Sequence, residues 1–563
     1  MPGIQFSLTD LERLLGRSLP RDEDGLNEIL ALVKGDIESV EGNDVSIEVK
    51  DSNRPDIWSV EGIARALRSQ LDTPEPREVK TSGKSNLRVV IDKRLKSIRP
   101  FISTAIVKSL HPSEEALKSW ISLQEKLDQT YGRKRKRASI GFYQADLISS
   151  PLNYTVANPD RASFAPLGSE TKSTLREIVA SHPKGMEYGQ IISGFSQWPL
   201  LVDGQDRVLS LPPVINSNDL GRIDVHTENI LVEVTGTNLE TVHSALKIVV
   251  ASLAERGGSV YTCQELYPYG SSRRVTSPDL NPTSAKLNLP YLNSLLGTSL
   301  NSREASRAAE KAGYRVQRAS GETIYLEIPC YRTDIMHSVD IIEDIAIALH
   351  LNKFKPEWPR IWTAGSQAEE TDEIDTIGEI MIGLGFQEVL TYVLTSMQVA
   401  VDNMQTSSDG LIKLLNPRMS THTVARNWLL PSLIEFLSRN THVDYPQKIF
   451  EIGATINRGV DTNQPVAERS NLAAVTVHSE AGFTEIRSSL DALMDNAGWT
   501  FQIRETTHPS FLPGRCGAIL SAGRNIGTIG ELSPRVLRAW GLNLPAAAFD
   551  LTIPRREPTG VAE

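Results

Sequence analysis

The sequence predicts a multidomain α+β protein, and three observations carry that prediction. A chain of 563 residues exceeds what a single hydrophobic core organises, and corresponds to roughly three to five domains. Hydrophobic residues make up 40% and charged residues 23% of it, so cores can be built throughout. In the C-terminal part, helical and β-rich runs follow one another without regular strand–helix–strand alternation. That pattern fits helices packed on an antiparallel sheet.

The opening segment, to Leu71, begins with an amphipathic pattern at Leu8, Leu11, Leu14 and Leu15 and continues to a strand alternation at Val45, Ile47 and Val49. Within it, Asn53 and Asp56 flank Pro55 and pin a turn, and Asp56 or Ser59 caps a helix read over Ile57 to Arg65. The stretch from Thr73 to Ser85, with two prolines and a glycine, reads as a linker. A second segment, from Asn86 to Gly270, mixes β-rich runs at Val89 to Ile91 and Ile230 to Val232 with a helical run from Leu239 to Ala254. Pro166, Pro199, Pro212 and Pro213 punctuate it. The third, from Ser271 to Leu351, carries helical patterns at Tyr291 to Leu296 and Ala305 to Ala312, then a strand from Ile324 to Ile328 and an acidic, apolar helix. Turn-forming residues from Lys355 to Ser366 lead into the fourth. There, Ile449 to Ile456, Leu472 to Val477, Ala518 to Leu520 and Ile526 to Ile529 read as strands.

Net charge is −10, whereas a chain that held a polyanion by itself would usually be basic. RNA contact must therefore be local or shared with a partner. The N-terminus lacks the basic-then-apolar layout of a secretory signal, and no apolar run reaches the length of a membrane span. Cys263, Cys330 and Cys516 are far apart and form no CxxC pair. Neither a zinc knuckle nor a disulfide framework is indicated, and a reducing cytoplasm is the simple expectation.

The segment Asp334-Ile-Met-His-Ser-Val-Asp340-Ile-Ile-Glu343-Asp344 is the most suggestive local cluster. A helix from Val339 onward buries Ile341, Ile342, Ile345 and Leu349 and places Asp340, Glu343 and Asp344 on one face. Like charges at that spacing repel, and a hard divalent cation would reverse the effect, with oxygen ligands favouring Mg²⁺. The same residues also read as a first helical turn capped by Ser338, where carboxylates are favoured without metal. The run Arg133-Lys134-Arg135-Lys136-Arg137 likewise has two readings, a phosphate contact or a solvated loop entering the strand at Ala138 to Phe142. No GxxxxGK[ST], HExxH or GxSxG pattern occurs. Gly383 with Gly385, and Gly523 with Gly527, mark a helix end and a hairpin before they mark a phosphate cradle.

A series of ordered motifs goes further. Asp51-Ser-Asn-Arg-Pro-Asp56 with Glu61-Gly-Ile-Ala-Arg65 resembles the N-terminal domain of phenylalanyl-tRNA synthetase β subunits. Leu211-Pro-Pro-Val-Ile-Asn216 and Asn229-Ile-Leu-Val-Glu233-Val-Thr-Gly-Thr237 are similar to the editing domain of the archaeal and eukaryotic branch. Ile328-Pro-Cys-Tyr-Arg-Thr-Asp334 and its acidic helix resemble the next domain. Gly383 to Glu388, Leu415-Asn-Pro417, Phe450 to Gly453 and Gly530 to Pro534 resemble the catalytic-like C-terminal domain. The length supports that branch, since bacterial β chains carry additional domains. Ile140-Gly-Phe-Tyr-Gln-Ala-Asp146 departs from a histidine-bearing form in relatives.

The resemblance implies four parts: an N-terminal domain with linker over 1–80, an editing-type α/β domain over 81–270, a small B5-like α+β domain over 271–355, and a degenerate class II synthetase-like antiparallel sheet with helices over 356–563. It implies a phenylalanine–tRNA ligase of two α and two β chains acting on tRNA(Phe), with ATP and phenylalanine bound by α. No motif for that chemistry is found here. It implies Mg²⁺ at Asp334, Asp340, Glu343 and Asp344. It also implies a pocket that hydrolyses mischarged Tyr-tRNA, with Glu233 reading the tyrosine hydroxyl, Asn216 supporting it, and Leu201 and Ser210 as wall. Two alternatives use the same domains, a stand-alone RNA-binding scaffold and a free-standing Tyr-tRNA deacylase. Co-purification with an α chain separates them from the subunit reading.

Overall fold

The structure is a computed structural model that describes residues 3–71, 78–270, 273–358, 363–461 and 464–554. It divides into two compact units, Met1–Glu357 and Trp358–Glu563, each a mixture of helices and sheets. Among the described residues no helix is long and apolar enough to cross a membrane.

The first unit opens with β1 (Gly3–Ser7), α1 (Leu8–Leu15), α2 (Glu23–Leu30), β2 (Gly35–Glu41), β3 (Asp44–Val49) and α3 (Val60–Leu71). The strands form an antiparallel sheet in the order β1-β3-β2, and Val45, Ile47 and Val49 are fully buried, as their period-two spacing requires. A short 3₁₀ turn, Pro55–Ile57, precedes α3. Of the two expected caps, Ser59 accepts a hydrogen bond from Gly62 N at 3.2 Å, while Asp56 is taken up by Arg54 at 2.8 Å.

Next come β4 (Thr81–Ile91), β5 (Phe101–Lys108), α4 (Glu114–Gln129), β6 (Ala138–Gln144), β7 (Leu152–Ala157), β8 (Ser163–Phe164), β9 (Ser173–Thr174), α5 (Leu175–Ser181) and α6 (Pro183–Tyr188). They are followed by β10 (Trp198–Val202), β11 (Val208–Leu211), β12 (Ile215–Asn216), β13 (Ile230–Gly236), α7 (Leu239–Glu255), β14 (Ser259–Leu266) and β15 (Arg274–Ser277). The expected linker is cut short by β4, because Thr81 onward pairs in parallel with the distant β14. Its residues 72–77 lie outside the described residues, as do residues 271–272 at the expected start of the third segment and 359–362 in the expected turn-rich stretch.

Ten strands make one sheet in the order β12-β11-β10-β7-β4-β14-β5-β13-β6, with β15 beside β14. One face carries Val89, Ile91, Ile102, Tyr143, Tyr154, Leu201, Leu209 and Leu231 as a single apolar cluster. On the other, Val232 and Val234 pack with residues of α4 and α7, so β13 is buried on both faces and reads as a near-continuous apolar run. The unit closes with β16 (Thr283–Asn288), α8 (Leu289–Leu296), α9 (Ser302–Lys311), β17 (Arg315–Ser320), β18 (Thr323–Ile328) and α10 (Ser338–Ala348). The sheet β16-β18-β17 shares a core with Ile341, Ile342 and Ile345 of α10.

The second unit contains α11 (Glu369–Gly383), β19 (Gln387–Glu388), β20 (Leu394–Thr395), β21 (Ile412–Lys413), β22 (Val424–Ala425), α12 (Leu430–Arg439), β23 (Gln447–Asp461) and β24 (Gln464–Val477). After them come α13 (Phe483–Ala497), β25 (Gln502–Glu505), β26 (Phe511–Ser521), β27 (Arg524–Leu532), α14 (Pro534–Ala539) and β28 (Ala546–Thr552). Its main sheet runs β19-β23-β24-β28-β27-β26-β25 and is antiparallel apart from the β19–β23 pair. Alternation along the strands sends Ala473, Val475 and Ala548 toward α12 and Leu472, Ala474 and Phe549 toward α11 and α13. This is the sheet with helices on it that the C-terminal pattern predicts.

Candidate functional site

The two ends of the ten-stranded sheet meet. Asn216 on the terminal strand β12 donates through Nδ2 to the Phe142 carbonyl of β6, the opposite terminal strand, at 3.3 Å. Gln144 N donates to the Leu220 carbonyl at 3.2 Å. At this seam lies a cleft of about 300 Å³ whose walls include Arg135, Phe142, Ser210, Pro213, Asn216 and Glu233. That volume is within the range of small-ligand pockets.

Glu233 forms the polar floor. Strand register sets it opposite Gly141 on β6 and Thr104 on β5, and its side chain is only 3% exposed. The Tyr143 hydroxyl lies 3.0 Å from Glu233 Oε2 and 3.2 Å from Asn216 Oδ1. Glu233 Oε1 is buried without a well-aligned hydrogen bond, and the Thr235 hydroxyl also favours the ionised carboxylate. Burial pushes the carboxyl up to about 7, against the opposing pull of the Tyr143 hydroxyl and the Arg99 guanidinium. Gly141 leaves room for this contact, because a Cβ there would stand 2.5 Å from Tyr143 Oη and 2.7 Å from Glu233 Oε2 and one of those side chains would have to shift.

Of the sequence-predicted pocket residues, the fold brings Ser210, Asn216 and Glu233 to the cleft. Ser210 and Asn216 are register partners on β11 and β12, and the buried Ser210 hydroxyl is near enough to Tyr143 to favour its ionised form. Leu201 is a correction. It is the register partner of Ser210, but it is fully buried in the apolar cluster with Tyr143 and Tyr154 and is not part of the cleft lining. The five consecutive residues from Trp198 to Val202 are all buried, so no alternation in sequence reveals which of them faces a ligand.

The basic run divides. Arg133, Lys134 and Arg135 adopt left-handed φ of 50°, 52° and 63°, a conformation that disfavours L side chains. This turn sends Arg135 inward while Arg133, Lys134, Lys136 and Arg137 stay exposed. Arg135 Nε sits 2.9 Å from Asp128 Oδ2, and Nη1 donates to the carbonyls of Pro213 and Val214 at 3.2 and 3.0 Å. Its guanidinium lies 4.2 Å from the Tyr188 ring centroid. Burial pushes Asp128 up to about 7 even with Arg135 beside it. Buried Arg99 ties the floor together, donating to Thr235 Oγ1 and Ser139 Oγ at 3.0 Å each and to the Arg135 carbonyl at 3.0 Å. The sequence reading treats the five basic residues alike, gives no role to Arg99 or Asp128, and marks the strand holding Gly141 and Tyr143 only as a departure from a histidine-bearing form. The recognisable signal was Gly141 two residues before Tyr143 on an apolar strand, a gap on the same face as a polar ring.

The four candidate metal carboxylates do not converge. Arg332 Nη2 lies 2.7 Å from both Asp334 Oδ2 and Asp344 Oδ2, a fixed cation between two of them. Asp344 also accepts from Tyr314. Although burial opposes it, Arg332 and Arg54 hold the Asp344 carboxyl below its ordinary value. Asp340 Oδ2 accepts from Met336 N and His337 N at 2.8 and 2.7 Å, and Glu343 pairs with Lys34 at 2.7 Å. The helix cap is His337, whose Nδ1 accepts from Val339 N, in place of the expected Ser338. Among the described residues no group of His, Cys, Asp and Glu is arranged to hold a metal. Donors already committed to a guanidinium, an ammonium and backbone amides do not fit a shared Mg²⁺. They form instead one end of a charged network, in which Arg54 pairs with Asp56 and Arg65 stacks on Tyr331 at 4.1 Å.

Comparison with known proteins covers nearly the whole chain. Residues 355–553 match the family model for the phenylalanyl-tRNA synthetase β chain CLM domain, and residues 285–349 match that for the tRNA synthetase B5 domain. The chain is 38% identical over 555 residues to a phenylalanine–tRNA ligase β subunit of Pyrococcus furiosus, covering 98% of this chain and 99% of that one. It is 33% identical to one of Methanocella arvoryzae, again covering 98% and 99%. Among solved structures, an N-terminal fragment of the phenylalanyl-tRNA synthetase β subunit of Pyrococcus horikoshii is similar at TM-score 0.59 and 38% identity, covering 62% of this chain and 99% of the fragment.

Proposed function

The chain belongs to the family of phenylalanine–tRNA ligase β subunits, and from that premise we propose that it works as one half of such a ligase. With an α chain, in a complex of two α and two β, it attaches L-phenylalanine to tRNA(Phe) at the expense of ATP in the cytoplasm. Phenylalanine and ATP are bound by α. The proposed division is an N-terminal domain with linker over 1–80, an editing domain over 81–270, a B5-like domain over 271–355 and a degenerate class II core over 356–563. The separate sheets along the chain and the two family matches support that division except at the 270/271 boundary, because β15 (Arg274–Ser277) pairs with β14 and the B5 match begins at residue 285.

In this reading the seam cleft removes tyrosine wrongly joined to tRNA(Phe). A pocket for phenylalanine rejects an added hydroxyl only weakly, whereas a site built to hydrogen-bond that hydroxyl discriminates strongly. Glu233 supplies the acceptor. Its Oε1, which lacks a well-aligned hydrogen bond, is satisfied by a tyrosyl hydroxyl and not by a phenylalanyl ring. Asn216 and Ser210 line the wall, and water is the proposed nucleophile. No step is routed through magnesium, because Asp334, Asp340, Glu343 and Asp344 each have other partners.

The observation that carries the editing reading is the buried, half-satisfied carboxylate of Glu233 at the floor of the cleft. The test is deacylation of Tyr-tRNA(Phe) by the chain co-purified with its α partner. Glu233→Ala should slow release of tyrosine at least about tenfold, the loss expected for a hydrogen bond to a charged group. Release at the wild-type rate would remove Glu233 from the reaction.

A further inference from the structure

Tyr143 is buried, belongs to no expected site, and has a hydroxyl that reaches two of the proposed pocket residues. Its ring is fixed in the apolar cluster within the sheet, among Leu152, Tyr154, Leu201 and Leu231, so it has no freedom to follow a ligand. Its O–H is 3.0 Å from Glu233 Oε2 and 3.2 Å from Asn216 Oδ1. A hydroxyl carries one proton, and the shorter contact is to the carboxylate. Gly141 leaves the space in which Tyr143 Oη and Glu233 Oε2 meet, since any Cβ there would be within 2.7 Å of both.

We infer that Tyr143 is a positioning residue for the editing cleft: its hydroxyl occupies Glu233 Oε2 and so leaves Oε1, buried and without a well-aligned hydrogen bond, to the para-hydroxyl of a ligand ring. The inference rests on the editing reading above and adds who sets the carboxylate. Unheld, a glutamate with two equivalent oxygens and rotatable χ angles would bind the same hydroxyl in several poses, and the ester bond would be correspondingly misplaced for attack by water. Gly141 is part of the same device.

Glu233 is faced by Tyr143 from β6, by the Arg99 guanidinium from the turn before β5, by the Thr235 hydroxyl of its own strand and by Asp128 from α4. The Tyr143 hydroxyl favours its ionised form and Asp128 opposes it. Deacylation that needs the carboxylate as acceptor therefore rises with pH through the Glu233 midpoint, and removing the Tyr143 hydroxyl moves that midpoint upward.

The experiment uses the full chain with its α partner and Tyr-tRNA(Phe) as probe, with rates measured across pH for wild type, Tyr143→Phe, Gly141→Ala and Glu233→Ala. Tyr143→Phe removes one oxygen and keeps the ring. We expect a loss of about tenfold at neutral pH and an upward shift of the midpoint by roughly one pH unit. Gly141→Ala, which pushes the same two groups apart without removing either, should also slow release. A Tyr143→Phe enzyme that slows with an unmoved midpoint has lost packing only, and that result overturns the inference. Wild-type rates in Tyr143→Phe beside a slow Glu233→Ala overturn it too while leaving the editing reading intact. If Glu233→Ala itself releases tyrosine normally, both fall. Should Tyr143→Phe fail to fold, Gly141→Ala decides: a wild-type rate and profile there rejects the device.

Discussion

Replacing Glu233 with Gln should stabilise the chain at alkaline pH while damaging its proposed reaction, and the size of the effect follows from the geometry. The carboxyl is buried, and only one oxygen has a well-aligned hydrogen bond. Burial moves it from an ordinary 4.5 to about 7, and at about 1.4 kcal/mol per tenfold change in proton affinity, the ionised form carries a penalty on the order of 3 kcal/mol. Because the folded state holds the proton more tightly than the unfolded chain, this stability is present below 4.5 and is lost as pH rises toward about 7. Gln stays neutral throughout and still accepts from Tyr143. Its amide N–H₂ has no acceptor waiting, which offsets about 1–2 kcal/mol. The net expectation is a gain of roughly 1–2 kcal/mol at pH 8 that disappears or reverses near pH 5. Urea denaturation of both proteins at the two pH values measures it. Buried Glu265, also pushed up to about 7, tilts both curves alike, while Asp128, which is pushed up to about 7 and faces Glu233, is separated out by repeating the comparison in an Asp128→Asn background. Parallel curves, or a variant less stable at pH 8, would refute the argument that an unsatisfied carboxylate lies at the cleft floor.

Other outcomes follow from the charged network and the second unit. Arg332→Ala strands Asp334 and Asp344 together in a buried site, and should destabilise the chain by about 3–5 kcal/mol in urea denaturation; a loss near zero would mean the pair is solvated. Chelator should leave the thermal midpoint of the chain unchanged, because the four acidic residues have protein partners. A rise on adding magnesium that Asp340→Ala abolishes would instead establish a metal there. Asp550→Ala removes the acceptor for Leu429 N and Leu430 N at the start of α12, at 2.7 and 3.0 Å, and should cost about 1–2 kcal/mol, read as a lower unfolding midpoint of the second unit.

Much of the fold was legible where one strand face is buried and the other is not. Val45, Ile47 and Val49 announced β3 by alternation, and the long α7 declared itself by its apolar content. What stayed hidden depends on partners far away in the chain. Thr81 to Ser85 looks like linker because its strand identity comes from pairing with β14, some 180 residues on. Leu201 lies in a run buried on both faces, where periodicity carries no direction. Arg135 was indistinguishable from its basic neighbours, because a left-handed turn, which the residue types do not favour, is what turns it inward. The acidic cluster shows the converse: helical spacing correctly put carboxylates close in sequence, but Arg332, Lys34 and the backbone amides of the preceding loop decided where each one points. Glu233, Asn216 and Ser210 were found through family resemblance, and the curled sheet supplies the physical reason that residues from β11, β12 and β13 share one cleft.

The account's central claim is that this chain is completed by a second one. Phenylalanine-dependent ATP–pyrophosphate exchange, measured on the chain alone, on the α chain alone and on the two mixed in equal amounts, tests it most directly. Exchange should be absent from this chain alone and robust in the mixture, which should elute as a single species with the two chains in equal amount. Exchange by this chain unaided, or a mixture that neither assembles nor gains activity, would contradict the account.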